Sequence, residues 1–305
     1  MRAIDLFAGA GGFSTGAVMA GCHVVWAANH WREAVDVHAV NHPHTEHACQ
    51  DLHQADWRVV PAHDLLLASP ACQGHSPARG KEKPHHDAQR STAWAVVSAA
   101  EHHRPAGFVV ENVPEFADWA LFPAWRAAME ALGYALALMV IDAADHGVPQ
   151  HRSRLFIVGT RSRYPIALTL PQLEHVPASA IVNFDAGNWS PIRTAKRSAA
   201  TLRRIHQGRR DLGCGRFLIP YYGSGSGLTG RSIHRPIGTI TTVDRWGVVR
   251  GNRMRMLQAD EARAAMGFPA DYQLPTQHKA AMHMLGNAVC PPVARDVINA
   301  LRRAV

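Results

Sequence analysis

No apolar stretch approaches the roughly 20 residues that a membrane-spanning helix requires, and the opening MRAIDLFAG has no signal-peptide pattern. A soluble, cytoplasmic protein without a membrane partner is expected. The chain has no C-x-x-C pair; its five cysteines, Cys22, Cys49, Cys72, Cys214 and Cys290, are scattered through 305 residues. An odd and dispersed set argues against a disulfide framework and against a thiolate zinc site. The 20 histidines include no H-E-x-x-H, and HTEH and EHHRP sit in polar, irregular settings, so no metal is expected. Internal repeats and low-complexity tails are also missing.

What is present is a large core and a basic surface. The composition is 47% hydrophobic, enough over this length for one large domain or two smaller ones. The formal net charge is +8, with positive clusters at ARGKEK, QHRSR, TAKRSAATLRRIHQGRR and RGNRMRM. Such a balance is the electrostatic footprint of a polyanion partner, most often nucleic acid.

Over the first 160 residues, short apolar runs alternate with helical patterns. MRAIDLF, HVVWAAN, HDLLLAS, AGFVVEN, LALMVID and RLFIVGT are rich in Val, Ile and Leu and lack polar alternation. That is the texture of strands in a mainly parallel sheet covered on both faces. FSTGAVMAG, WREAVDVHAVN, STAWAVVSAAEHHR and WRAAMEALG read as helices between them, with Gly21 and Gly133 at C-cap positions. The rhythm predicts a doubly wound α/β domain over 1–161. Prolines, arginines and YYGSGSGLTG replace it over 162–250, a smaller and irregular region. Helical texture returns over 251–305, in QADEARAAMGF and CPPVARDVINALRR.

Two features carry chemistry. DLFAGAGGFSTG leaves the first strand and opens a helix, so Gly9, Gly11 and Gly12 allow a tight turn close to a ligand. The spacing is G-x-G-x-x-S, with Ser14 in the third glycine's place; it suits an adenosine-containing ligand and leaves a nicotinamide dinucleotide open. In LLLASPACQGHSPARGKEK an apolar run breaks at Pro70 and delivers Cys72 just past its end, where a nucleophile would sit. A free thiol of pKa about 8.5 is mostly protonated at neutral pH and needs a positive setting, which the basic loop after it supplies.

Taken in order, DLFAGAGGFSTG, SPACQGHS, ENVPEF, QHRSRLFIVG, MGFPADY and LGNAVCPPVA resemble the DNA cytosine C5-methyltransferases. The likeness covers about residues 1–160 and 235–302 and leaves 162–234 as the family's variable target-recognition region. It implies a class I, Rossmann-like fold and S-adenosylmethionine as methyl donor. It implies double-stranded DNA as partner, a flipped-out target base, and action as a monomer without an obligatory protein partner. The tRNA cytosine methyltransferases share these motifs, and their distinguishing features are not apparent.

The resemblance also assigns roles. Cys72 would be the nucleophile at cytosine C6, Glu111 the acid facing the ring nitrogen, and Arg154 the guanidinium at the exocyclic oxygen, with Arg152 supporting the loop or a phosphate. The cofactor would be held by Phe7, Ala8, Gly9, Gly11 and Gly12, by Asn29, His30 and Trp31, by Asp51 and Leu52, by Ser69, and by Asn287, Ala288 and Val289. Contacts to DNA would come from Gln73, Ser76, Arg79, Lys81, Lys83 and Arg90, from Gln150, and from Arg203, Arg204, Arg209 and Arg210. Two positions depart from the family pattern. His30 stands where an acidic residue usually holds the ribose, and Ala71 stands where a proline usually precedes the nucleophile.

Overall fold

A computed structural model describes residues 1–71, 92–195, 197–221 and 228–304. Each of the six apolar runs is a strand: β1 Arg2–Leu6, β2 His23–Asn29, β4 Leu65–Ala68, β5 Gly107–Asn112, β6 Ala135–Asp142 and β7 Ser153–Thr160. A further strand, β3 Glu46–Cys49, lies at the edge; its sequence EHAC offers no apolar run from which to read it. The order is β3-β2-β1-β4-β5-β7-β6. All neighbours are parallel except β7, which runs against both β5 and β6.

The lack of polar alternation follows from two cores. Leu65, Leu67, Val109, Phe156 and Val158 face one of them, and Leu66, Ala68, Phe108, Val110 and Ile157 face the other. Successive side chains alternate between faces, so a strand covered on both sides is apolar throughout. On the first face lie helices α1 Gly12–Met19 and α8 Pro291–Ala304, packed so closely that a Cβ on Gly16 would lie 2.4 Å from that of Ala294. On the second lie α3 Ala93–His103 and α4 Phe122–Ala131, with Trp125 fully buried against Phe108 and Phe116. Burial of each such side chain contributes roughly 1.5–3 kcal/mol. Gly21 and Gly133 close their helices at φ of 73° and 90°, which glycine tolerates and other residues resist.

The strand order reverses between β1 and β4. Ligands in such sheets bind outside the carboxyl ends of the strands at that switch point, where Phe7 follows β1 and Ser69 follows β4.

The second region is more ordered than its proline- and glycine-rich sequence implies. A four-stranded antiparallel sheet joins β8 Ser190–Pro191, β11 Arg253–Met256, β10 Trp246–Arg250 and β9 Arg216–Pro220, in that order. Helix α5 Ala199–Leu212 covers it, capped by Ser198, whose hydroxyl accepts from Thr201 N at 3.2 Å. A small core of Ile192, Ile205, Phe217, Ile219, Val249 and Met254 lies between helix and sheet. The sheet runs past residue 250 to Met256, so its last hairpin straddles the point at which the sequence changes texture. Residues 235–242 return beside the loop before β7: His151 N donates to Ile237 O and Ile237 N to Pro149 O. Helices α6 Ala259–Ala265 and α7 His278–Asn287 follow, the second lying in a stretch whose helical pattern had not stood out.

Candidate active site

The turn after β1 is bent by left-handed backbone. Phe7, Gly9 and Gly11 have φ of 61°, 51° and 78°. The turn is tied to β2 by Ala8 N donating to Ala28 O at 3.0 Å, and closed by Gly11 N donating to Ala8 O at 2.7 Å. Phe7 holds a conformation that costs a non-glycine residue about 1–2 kcal/mol. Glycine at 12 has a different reason: a Cβ there would lie 2.0 Å from the carbonyl oxygen of Val289. The C-terminal segment therefore docks directly on the first turn of α1.

A cavity of about 360 Å³ opens at this switch point. Phe7, Ala8, Gly9, Asn29, His30 and Trp31 contribute to its wall, as do Ser69, Asn287, Ala288 and Val289, all expected there. A Cβ on Gly9 would meet only Phe7 O, at 3.8 Å, so the backbone is bare at that point. A pocket of this size with aromatic walls and a bare glycine turn fits an adenosine-containing ligand.

Four expected cofactor residues are absent from the wall. Gly11 and Gly12 shape the turn from behind. Asp51 is exposed and caps the short turn Leu52–Gln54, its carboxylate accepting from His53 N at 3.0 Å. Leu52 is buried in the core with Trp26 and Val60. His283 and Met284, which the sequence did not single out, do line the cavity from α7. The His283 ring packs edge-on against Trp31, with centroids 5.2 Å apart. Their one signal in the sequence is their place one turn before Asn287.

The same cavity is lined by Pro70, Ala71, Glu111, Arg152 and Arg154. Glu111 is the last residue but one of β5 and is 5% exposed. Arg154 Nε lies 3.1 Å from its Oε1. Burial pushes the Glu111 carboxyl above its ordinary range, against the opposing pull of Arg154 and Arg152. Asn112, next in the strand, donates to Pro70 O at 3.2 Å and fixes the path of the chain toward residue 72. Cys72 itself lies outside the described residues, as do Gln73, Ser76, Arg79, Lys81, Lys83 and Arg90.

Arg152 and Arg154 sit two residues apart and do different things. The Arg152 guanidinium is buried and donates to the carbonyls of Ile240, Gly286 and Ala288 at 3.0, 3.0 and 2.9 Å. It is a clamp that ties the chain just before β7 to two distant segments, at residue 240 and at residues 286–288. Gln150, expected at the DNA, is fully buried; its amide donates to Ala265 O and accepts from Ile240 N. It is an internal strut. Both side chains turn inward from the segment just before β7.

The sequence matches the family model of the C-5 cytosine-specific DNA methylases over residues 1–198 and 189–303. The chain belongs to that family. Among relatives of this methylase, Type II methyltransferase M.AgeI of Thalassovita gelatinovora is 33% identical over 187 residues, which span 58% of this chain and 43% of that protein. M.NlaX of Neisseria lactamica is 27% identical over 330 residues, spanning all of this chain and 97% of that one. The crystal structure of a proposed DNA modification methyltransferase encoded within an E. coli prophage superposes with a TM-score of 0.74 at 19% identity, covering 100% and 99% of the two chains. At that identity the superposition speaks for the fold alone: a class I methyltransferase fold.

The arginines expected at DNA lie on α5 of this methylase. Arg203 is exposed, and Arg204 lies 5.2 Å from the ring centroid of Tyr221. Arg209 donates to Gly251 O and to Asn252 Oδ1, binding the β10–β11 turn, and Arg210 bonds the side chain of Gln207. Arg209 is thus turned toward its own fold.

Proposed function

We propose that the protein transfers a methyl group from S-adenosylmethionine to C5 of a cytosine turned out of duplex DNA, through a transient bond between Cys72 and C6. The observation that carries this reading is one cavity lined both by the glycine turn with Trp31 and by the Glu111–Arg154 pair, with Pro70 and Ala71 leading to Cys72. When bound, S-adenosylmethionine supplies an electrophilic methyl group; Phe7, Gly9, Trp31 and Asn287 would hold it.

The protein's own groups make C5 nucleophilic. The Cys72 thiolate adds to C6 as Glu111, protonated, donates toward the ring nitrogen, and the ring becomes an enamine. Arg154 at the exocyclic oxygen stabilises the charge that develops there. Transfer of the methyl group to C5 releases S-adenosylhomocysteine; the C5 proton then passes to water, the C5–C6 double bond re-forms as the thiolate departs, and the ring nitrogen returns its proton to Glu111. Both features of Glu111 support this: burial favours its protonated form, and Arg154 beside it holds the carboxyl in place. Among the described cysteines Cys290 lies beside this pair. Burial pushes its thiol up to about 11, so it stays protonated at neutral pH and does not compete for the role.

The test uses tritiated S-adenosylmethionine and duplex DNA, with tRNA in parallel. Label is expected in DNA as 5-methylcytosine, and incorporation into tRNA alone would overturn the DNA assignment. Duplexes carrying 5-fluorocytosine at the target are expected to trap a covalent adduct, because fluorine cannot leave C5 as a proton does. An adduct that persists in Cys72→Ala would assign the bond to another residue. Residues 162–250 are proposed to read the DNA sequence, with α5 arginines such as Arg203 on the phosphates.

A further inference from the structure

Beneath the glycine turn, on the side away from the cavity, lies a buried polar chain that the proposed reaction does not use. Asp5, on β1 and fully buried, accepts from Ser14 N at 3.0 Å and from Ser14 Oγ at 2.7 Å. Ser14 Oγ is 2.9 Å from His38 Nε2, and His38 Nδ1 is 2.8 Å from His47 Nε2. Beside this relay, His42 Nε2 lies 3.2 Å from Thr15 Oγ1 and 3.4 Å from Tyr272 Oη. Tyr272 donates to the carbonyl of Ala10, between the two left-handed glycines. A Cβ on Gly11 would meet Tyr272 Oη at 2.5 Å, His38 Cδ2 at 3.0 Å and His42 Nε2 at 3.1 Å. Nothing separates the turn from the cluster.

We propose that His38, His42, His47 and Tyr272 are positioning residues for the cofactor: the neutral cluster holds the turn at residues 9–11 in its ligand-receiving shape, and protons on the histidines release it. This rests on the cofactor reading given above. The hydrogen-bond chemistry explains the sensitivity. A neutral His38–His47 pair can present one donor to one acceptor by its choice of tautomers. One added proton keeps that pattern by a change of tautomer, whereas a second sets two donors face to face at 2.8 Å.

The groups facing the histidines come from every neighbouring element. They are Asp5 on β1, Ser14 and Thr15 on α1, His47 on β3, and Tyr272 after α6. Asn41 on α2 (Arg32–Asn41) and Gln273 exchange hydrogen bonds at 3.0 and 2.8 Å and bind the tyrosine turn to that helix. Arg263 on α6 donates to Tyr272 O. Burial holds His38 well below its ordinary value, His42 at about 4, and His47 lower than usual; the neighbouring imidazoles add to the effect at His38 and His42. Burial pushes Asp5 the other way, to about 7, and one carboxyl oxygen, Oδ1, has no hydrogen-bond partner among the described residues.

The two effects have opposite signs. Histidines held low stabilise the closed cluster above about pH 6.5, and that contribution is lost as pH falls toward 4. The raised Asp5 contributes fully below its ordinary value, and its contribution is lost as pH rises through about 7. Three histidine protons outweigh one from Asp5 on the acid side, so the closed cluster is favoured near pH 6.5–7.

The test measures binding of S-adenosylhomocysteine to the intact protein by calorimetry from pH 5 to pH 8. The dissociation constant is expected to rise by about tenfold or more between pH 6.5 and pH 5. His38→Gln, which keeps a donor and an acceptor but takes no proton, is expected to flatten that profile. A wild-type constant that stays within about twofold over this range, or a His38→Gln profile as steep as wild type, overturns the proposal. Amide exchange of residues 9–15 in the unmodified protein, relative to β5, judges it even where the variant does not fold. Exchange should accelerate at pH 5 beyond its intrinsic change, and unchanged protection counts against it. Absence of S-adenosylhomocysteine binding at every pH would instead refute the cofactor reading, while the exchange measurement still decides the latch.

Discussion

The rim of the large sheet and the small antiparallel sheet both depend on arginine, in different ways. At the rim, Arg152 is 3% exposed and serves three carbonyls from two distant parts of the chain, while Arg154 faces a buried carboxyl. On the small sheet, guanidiniums lie over aromatic rings near the surface: Arg204 over Tyr221, Arg216 over Phe184 and Arg250 over Trp189, at 5.2, 5.1 and 4.7 Å. Arg255 also lies over Trp189, at 4.9 Å, but it is buried, with its partner Glu261 2.6 Å away. A buried guanidinium cannot be changed without stranding its acceptors, whereas one stacked at the surface is worth about 0.5–1 kcal/mol. The rim is thus built to stay as it is, and the small sheet is built to tolerate exchange.

Substitutions can break or sharpen this contrast. The largest effect is expected from Gly12→Ala, whose new methyl would overlap the Val289 carbonyl. Loss of the folded state, or destabilisation of about 3 kcal/mol in urea, should follow. Arg152→Met strands three carbonyls and should cost a similar amount, about 3 kcal/mol, in the same measurement. Normal stability in that variant would remove the clamp from the description.

Arg154→Met should leave the unfolding free energy in urea within about 1 kcal/mol of wild type yet slow methyl transfer by about 10²–10³-fold. Equal loss of stability in both arginine variants would erase the distinction between clamp and catalytic group. For Glu111→Gln the sign follows from the raised carboxyl. The wild-type contribution is present below the ordinary carboxylate value and lost as pH rises through the folded one. The variant should therefore lose less stability than wild type on going from pH 5 to pH 8, while transfer falls. The smallest effect belongs to the other region: Arg203→Ala on α5 should weaken DNA binding modestly and reduce the slope of log affinity against log salt by about 1. An unchanged slope would take this helix off the phosphates.

The six principal strands were legible because a strand buried on both faces is apolar on both, as LLLA and GFVV are. β3 was not, since a four-residue edge strand is fixed by its pairing with β2 rather than by its own side chains. Phe7, Gly9, Trp31 and Asn287 were found through ordered motifs, and the structure brings them to one cavity. Asp51 and Gln150 turn away from the places expected of them, because a motif position does not say which way its side chain turns. His283 and Met284 share a helix with Asn287 but lie outside the GNAV motif that pointed to it.

The six principal strands, the bends at Gly9 and Gly11, and the residue types available for chemistry belong to the sequence alone, because each is set by local pattern and backbone freedom. Only the tertiary structure decided that Arg152 supports and Arg154 faces Glu111, and that His38 and His42 lie against the glycine turn. Those assignments depend on hydrogen bonds between segments as much as 136 residues apart, as between Arg152 and Ala288. Direction in space at that separation is set by packing, on which no local pattern bears.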